Sequence, residues 1–183
     1  MQASGRDTPR STLPREPKAS YIVVASGKVT PKPPVFPPML DSVYNKRILE
    51  LAADIPHLGR LTAPHASATA YSRLCGSTIT VDVALKDGKV ADYAQELKAC
   101  ALGQASASIL ARNILGATPG ELRELREKMR KMLKENGPAP DGKWADLAVL
   151  EPVRDYKARH ASTLLPFDAV VDALKKIEAA PLV

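Results

Sequence analysis

One alternating segment places the strongest constraint on how this chain of 183 residues folds. From Thr78 to Leu85 apolar residues occupy every second position, which is the period of a strand with one buried face. The following Lys86-Asp87-Gly88 predicts a tight hairpin turn, because an Asp-Gly pair tolerates the positive φ angles of such turns. Lys89 to Lys98 is then the returning strand. With another strand at Ala68 to Leu74, the sequence predicts a three-stranded antiparallel meander.

Helical patterns lie on both sides of the predicted strands. A first helix is predicted from Ser42 to Ala53. After the meander, the capping sequence Thr118-Pro119-Gly120-Glu121 predicts the start of an amphipathic helix. Because the strands form one run and most helices follow it, the sequence predicts an α+β fold in which the sheet packs against several helices. The other predicted helices are Cys100 to Leu115, a short one from Asp146 to Val153, and Leu164 to Ala179.

Apolar residues at helical spacing predict which helix faces are buried. Aromatic residues make up only 4% of the chain, so the predicted core consists mainly of Ala, Val, Leu and Ile. The predicted buried faces are Val43, Ile48, Leu49, Leu51 and Ala52 in the first helix; Leu122, Leu125, Met129, Met132 and Leu133 in the amphipathic helix; and Phe167, Val170, Val171, Leu174 and Ile177 in the last helix.

Prolines and basic residues concentrate in residues 1–38. This segment holds eight of the sixteen prolines, which interrupt helices and sheets, so it is predicted to be a disordered or extended tail. Residues 39–183 are then a single domain. The tail has six Lys and Arg against two acidic residues, a net charge of +4, which leaves only +2 of the chain's +6 for the domain. With few aromatic residues for base stacking, no nucleic-acid partner is predicted. The sequence leaves open whether the protein starts at Met1 or at Met39.

The sequence predicts a soluble protein of the cytoplasm. No apolar run approaches the roughly 20 residues that a membrane span requires, so no membrane partner is predicted. The N-terminus lacks the apolar stretch of a secretory signal. Two cysteines in such a chain fit a reducing compartment, where structural disulfides are unusual.

The two cysteines are the residues most suited to chemistry. Cys75 precedes a glycine at the start of a strand, where the backbone allows close approach to a bound ion. Cys100 stands at the predicted start of a helix, whose dipole favours a thiolate. A thiolate can bind a metal or accept sulfur, but free cysteines are also common as small buried apolar residues. Two thiols separated by a hairpin predict zinc less strongly than a Cys-x-x-Cys pair does, and the residues alone leave both interpretations open.

Several motifs together resemble the IscU, NifU N-terminal and SufU family of iron–sulfur cluster assembly scaffolds. The resemblance extends from Tyr44 to about Ala179. It is carried by the Tyr44-Asn45-Lys46-Arg47-Ile48-Leu49-Glu50 segment, Gly59-Arg60-Leu61, Cys75-Gly76 before a strand, the Asp-Gly hairpin, Cys100 before an Ala/Ser-rich helix, and Arg159 to Phe167.

The resemblance implies a metal or cluster site made of three cysteines and an aspartate at one end of the sheet. Cys75 and Cys100 correspond to the first two cysteines, whereas Ser77 replaces the aspartate and Ser162 replaces the third cysteine. A neutral hydroxyl is a poor ligand for iron or zinc. His160, next to the third position, is the candidate for a further ligand. The alternative is that His160 faces solvent and has no role. Otherwise the missing ligands come from a second subunit or a partner protein.

The resemblance further implies a scaffold or carrier that is not an enzyme. Its cargo is iron, zinc or a nascent iron–sulfur cluster, and its partners are a cysteine desulfurase and acceptor apo-proteins. The two serine replacements keep open an alternative, in which a degenerate scaffold fold acts as a non-metal interaction or regulatory module. A sulfur-transfer role that uses only Cys75 has the least support.

Overall fold

The computed structural model describes residues 45–180 and the backbone of two short strands before them. These two strands, β1 (Tyr21–Val23) and β2 (Val29–Pro31), pair antiparallel with Tyr21 opposite Pro31. The other residues of the predicted 1–38 tail lie outside the described part of the chain, as do residues 42–44 of the predicted first helix. The division into a tail and a single domain therefore stays a prediction.

The three-stranded sheet confirms the predicted meander. It contains β3 (Ala66–Tyr71), β4 (Thr78–Lys86) and β5 (Lys89–Lys98) in the order 3-4-5, and all neighbours are antiparallel. The β4–β5 turn consists of Asp87 and Gly88, whose φ angles are 52° and 72°. These positive values are those that the Asp-Gly pair predicts.

The first strand of the sheet is shifted relative to its prediction. It ends at Tyr71, not at Leu74, because the chain turns after Ser72. The amide of Ser72 donates to the carbonyl of Ser77 over 2.8 Å, and the amide of Gly76 donates to the carbonyl of Ser72 over 2.9 Å. Leu74 therefore lies on the outside of a turn, where its side chain is 75% exposed.

Four α-helices and one 3₁₀ segment accompany the sheet in residues 45–180. The amphipathic helix has all five predicted apolar residues buried, and the Thr118 hydroxyl accepts a hydrogen bond from the amide of Glu121 over 3.2 Å. In the first helix Ile48 and Leu51 are buried as predicted, but Leu49 is 52% exposed. The helices are α1 (Lys46–Ala53), α2 (Ala101–Asn113), α3 (Pro119–Lys134) and α4 (Lys157–Ala179), and the 3₁₀ segment is Gly142–Asp155.

Two helix predictions near the C-terminus need correction. The segment predicted as a short α-helix from Asp146 to Val153 belongs to the longer 3₁₀ segment, which contains Pro152. The last helix, predicted to begin at Leu164, begins at Lys157 and continues through Pro166. Proline has no amide hydrogen to donate to the carbonyl of Ser162, four residues earlier. That carbonyl faces Gly103 of α2 instead.

Helix α2 lies at the centre of the domain. Nine of its thirteen residues are buried, and it contacts α1, α4 and the 3₁₀ segment. Its small residues allow this close packing. The hydroxyl of Ser106 donates to the carbonyl of Thr163 in α4 over 2.7 Å, and that of Ser108 donates to the carbonyl of Asp54 after α1 over 2.8 Å. Since α4 also packs against β3 and β4, the packing fixes α4 relative to the sheet.

Among residues 45–180, no helix combines the length and the apolar character that crossing a bilayer would require.

Candidate functional site

Three separate segments meet at the end of the sheet where β4 begins and β5 ends. Cys75 lies in the turn before β4, in which Gly76 has a φ of 66°. Cys100 is the N-cap residue of α2, directly after β5. The register places Thr78 opposite Lys98, so the residues just outside this pair, on either strand, come together. Ser162 arrives from the second turn of α4.

The side chains of these segments form one group, here called the thiol cluster: Cys75, Ser77, Cys100 and Ser162. The Cys75 sulfur lies 3.0 Å from Ser77 Oγ. The Cys100 thiol donates to Ser162 Oγ over 3.6 Å. Both cysteines that the sequence singles out therefore lie at this end of the sheet with a serine hydroxyl beside each of them.

Burial divides the thiol cluster into two layers. Ser77 is 3% exposed and Ser162 is fully buried, whereas both cysteines are partly exposed. Cys75 and Cys100 border the same open cavity of about 280 Å³, which Lys98 also lines. Both thiols are thus accessible from this cavity, while the fully buried Ser162 is not part of its lining.

The surrounding hydroxyls favour the ionised form of Cys75. Burial raises the pKa of this thiol, but the nearby hydroxyls of Ser72, Ser77 and Ser162 and the backbone of Ser77 together outweigh the effect and lower the pKa to about 7. A cysteine with this pKa is about half thiolate at neutral pH. Thiolate is the form that binds metals and attacks sulfur.

Ser72 is a member of this environment that the sequence analysis missed. Its side chain is 3% exposed, and within the described residues its Oγ has no hydrogen-bond partner. Its hydroxyl is one of the groups that lower the pKa of Cys75. The sequence signal was weak, because only the reversal of the chain between Ser72 and Ser77 brings this hydroxyl near the sulfur.

His160 lies outside the thiol cluster. It is 7% exposed, so the alternative that it faces solvent is wrong. Its Nε2 atom is 2.9 Å from the carbonyl oxygen of Arg154, and its ring borders a different cavity, beside Lys134 and Lys157. A ligand role for His160 would require that this hydrogen bond break and the ring turn, and it stays a prediction.

A second polar group, also missed from the sequence, holds the loop before β3 on the sheet. Asp82 of β4 is fully buried, and its carboxylate accepts hydrogen bonds from Arg60 Nε over 2.7 Å and from the amide of Leu61 over 2.9 Å. The Ser67 hydroxyl completes the set at 2.5 Å. The Arg60 hydrogen bond is the main reason that the pKa of Asp82 is lowered. The hydrogen bonds of the Asp82 carboxylate are all made within this group, so we interpret the group as structural.

The fold and the thiol cluster together define a class of protein. An antiparallel meander followed by helices, with thiols from a turn and from a helix N-terminus at one end of the sheet, is the arrangement expected of a cluster-assembly scaffold domain. The chain belongs to the NifU-like N terminal domain family, which its residues 43–163 match. The resemblance predicted from the sequence is confirmed, and with it the α+β fold class.

Known relatives agree with this assignment. The chain is 29% identical over 135 residues to the iron–sulfur cluster assembly scaffold protein IscU of Thermotoga maritima, covering 74% of this chain and 94% of that protein. The crystal structure of a nitrogen-fixing NifU-like protein (N-terminal) from Brucella abortus is 59% identical, with a TM-score of 0.77. That match covers 78% of this chain and 99% of that one.

A more distant structure shows the fold alone. It is a putative iron–sulfur cluster assembly scaffold protein for the SUF system from Fervidobacterium islandicum AW-1, 22% identical with a TM-score of 0.68. The match covers 73% of this chain and 98% of that one.

Proposed function

We propose that this protein is a scaffold of iron–sulfur cluster assembly that holds iron, zinc or a nascent cluster through Cys75 and Cys100. The observation that carries the proposal is that these two thiols border one open cavity, in a chain of the NifU-like family. The IscU relative, 94% of whose length is covered by the match to this chain, is named as such a scaffold. In this role the protein binds and passes on its cargo and is not an enzyme.

The exposure of the two thiols supports exchange of cargo with other proteins. Both sulfurs border an open cavity, so a partner can reach them without unfolding the domain. The partners that this chemistry requires are a cysteine desulfurase, as the source of sulfur, and apo-proteins that accept the product. Thiolate exchange between the scaffold and an acceptor needs this kind of access.

The donor set of the chain falls short of the four ligands that an iron or zinc site commonly has. In residues 45–180, no group of three or more His, Cys, Asp or Glu side chains is placed to hold a metal ion. Ser77 and Ser162 offer only neutral hydroxyls, and Ser162 donates its own hydrogen to the carbonyl of Arg159 over 3.0 Å. We therefore propose that the missing ligands come from the partner or from the cargo itself.

Anaerobic reconstitution tests the proposal. The purified chain is incubated with iron and sulfide, with and without a cysteine desulfurase, and its metal content and visible absorbance are measured. The wild type is expected to bind iron and to show sulfur-to-iron charge-transfer bands. A Cys75→Ser/Cys100→Ser double variant is expected to lose both. Equal metal content in the two proteins under both conditions would reject the scaffold role.

A second candidate, a scaffold fold that acts as an interaction module without metal, is favoured by one observation. The serines at both missing ligand positions are buried, and their hydroxyls already have hydrogen-bond partners within the chain. This candidate predicts that the double cysteine variant binds the desulfurase as tightly as the wild type in the presence of a chelator. A loss of that binding would exclude the module.

A further inference from the structure

We propose that the cavity between the end of α3 and the start of α4 is a binding site for hydrogen phosphate, formed by Lys134, Lys157 and His160. The inference uses no residue of the thiol cluster and is independent of the proposed function. It also gives His160 a role in the place where the fold puts its ring.

The wall of this cavity is basic. The cavity has a volume of about 340 Å³ and is lined by Lys134, Lys157, His160 and Ala161, so no carboxylate of the described residues belongs to its wall. Neither lysine side chain forms an ion pair or a hydrogen bond within residues 45–180. Two ammonium groups that border one cavity without a counter-ion attract an anion.

The direction of α4 adds to this attraction. The N-terminus of a helix is the positive end of its dipole, where acidic side chains are stabilising and basic ones are not. Helix α4 starts at Lys157 and has no acidic residue in its first turn, which Lys157 and Arg159 make basic. An anion bound beside Lys157 offsets this unfavourable arrangement of charge.

His160 determines which anion fits. Its side chain is 7% exposed, and its Nε2 atom lies 2.9 Å from the carbonyl oxygen of Arg154. A carbonyl oxygen only accepts hydrogen bonds, so Nε2 carries the hydrogen and donates it. In the neutral ring Nδ1 is then an acceptor, and it has no hydrogen-bond partner among residues 45–180. A ligand that satisfies this atom has to donate a hydrogen.

Hydrogen phosphate meets both requirements. It carries two negative charges for the two lysines and one hydroxyl that can donate to Nδ1. Sulfate has the same shape and charge but no hydrogen to donate, and a phosphate monoester also has none above its second pKa of about 6. The cavity has room for such an ion and several waters, since one water occupies roughly 30 Å³.

Titration of the full chain with inorganic phosphate tests the inference, with a metal chelator present so that no cation links the anion to His160. Calorimetry at about pH 7.5 is expected to show one phosphate per chain. The ring nitrogens of the three histidines are followed by NMR, with His160→Gln to assign its signals. The Nδ1 signal of His160 is expected to move with phosphate, and sulfate is expected to bind about tenfold more weakly because it leaves Nδ1 without a donor.

Single lysine variants show whether the anion lies in this cavity. Lys134→Gln and Lys157→Gln are each expected to weaken phosphate binding about tenfold, because each removes one charged donor. Lys175→Gln is the matched control, since it removes the same charge from α4 near the other end of the helix, outside the cavity wall. Phosphate binding by this control is expected to equal that of the wild type. Circular dichroism verifies that each variant keeps the fold.

Four results would each overturn the inference. They are the absence of saturable phosphate binding, equally tight binding of sulfate, unchanged binding in both Lys134→Gln and Lys157→Gln, and a His160 Nδ1 signal that does not move at saturating phosphate. None of these measurements involves Cys75 or Cys100. The outcome is therefore separate from that of the reconstitution with iron and sulfide.

Discussion

Single side chains around Cys75 determine how reactive the thiol cluster is. Ser72, Ser77 and Ser162 are ordinary residues in the sequence, yet in the fold their hydroxyls together lower the pKa of Cys75. No acidic residue lines this cavity, so neutral hydroxyl dipoles take the place of a charged side chain beside the thiols. The cluster is therefore a polar pocket that favours thiolate without providing a third strong ligand.

Cys75 is expected to react with iodoacetamide as a thiol with a pKa near 7. Its alkylation rate should level off above about pH 8, whereas an ordinary thiol with a pKa near 8.5 gains rate beyond that pH. Mass spectrometry of the metal-free protein at a series of pH values measures the profile. Ser77→Ala should move the midpoint upward, and Thr69→Ala, an exposed hydroxyl on β3, should not. A midpoint near 8.5 in the wild type would contradict the role of the hydroxyls.

The same shift has a consequence for stability. The pKa of Cys75 is lower in the folded state than in the unfolded state, so its ionisation stabilises the fold fully above the unfolded value of about 8.5. The contribution is lost as the pH falls through about 7. Ser77→Ala should reduce the difference in melting temperature between pH 9 and pH 6 relative to the wild type.

At the scale of elements, the approach of α2 to α4 places Ser162 beside the Cys100 thiol. Gly103 makes this approach close. A Cβ atom at position 103 would lie 3.1 Å from the carbonyl oxygen of Ser162 and 3.0 Å from the Cβ of Ala99. That carbonyl is available because Pro166 cannot donate to it. One glycine and one proline, 63 residues apart, therefore set the distance between two helices.

Gly103→Ala is expected to push α4 away from α2 and to separate Ser162 from Cys100. Alanine gains about 1 kcal/mol of helix propensity over glycine, but overpacking against backbone costs about 1–3 kcal/mol. We expect a net loss of about 1 kcal/mol in the free energy of unfolding, measured by denaturant titration. Cys100 should also become easier to alkylate.

Gly120→Ala in α3 is the matched control, since the added Cβ atom would lie 3.9 Å from Thr118 Oγ1, which is an ordinary contact. This variant is expected to be as stable as the wild type or more so. Equal stabilisation by both substitutions would show that the packing around Gly103 can relax.

At the scale of the whole domain, the contacts that join distant segments are polar as well as apolar. Asp82 ties the loop at Arg60 and strand β3 to strand β4. Lys176, near the end of α4, donates to the carbonyl of Ser67 over 2.7 Å and covers part of the outer edge of β3. A covered edge is less available for pairing with another chain.

Asp82→Asn is expected to lower the free energy of unfolding by about 2 kcal/mol, because it leaves a buried site with weaker acceptors for Arg60 and Leu61. Asp54→Asn is the matched control, since Asp54 also pairs with an arginine, Arg112, but its side chain is 81% exposed. The control should change stability by less than about 0.5 kcal/mol. Equal effects of the two substitutions would show that burial of Asp82 does not matter.

The ionisation of Asp82 also predicts that the stability of the fold changes with pH in the acid range. Its pKa is lowered in the folded state, so its stabilising contribution is complete above the unfolded value of about 3.9 and is lost as the pH falls through the folded pKa. The stability difference between wild type and Asp82→Asn should therefore shrink in strong acid.

The sequence by itself determined those features whose physics is local. Asp87 and Gly88 specify a turn through their own φ preferences, and the stripe from Leu122 to Leu133 specifies a buried helix face through its period. The cysteines likewise indicate thiol chemistry through their residue type alone. These features depend on neighbours within a few positions, so the pattern along the chain is enough.

Only the tertiary structure decided which residues surround the thiols. Ser162 meets Cys100 across 62 positions, and His160, two residues earlier, turns away to Arg154. The start of α4, the exposure of Leu49 and the burial of Asp82 likewise depend on packing between elements. Such contacts depend on how the helices pack against the sheet. That packing is a balance of many small energies between residues far apart in the chain, so a local sequence pattern does not predict it.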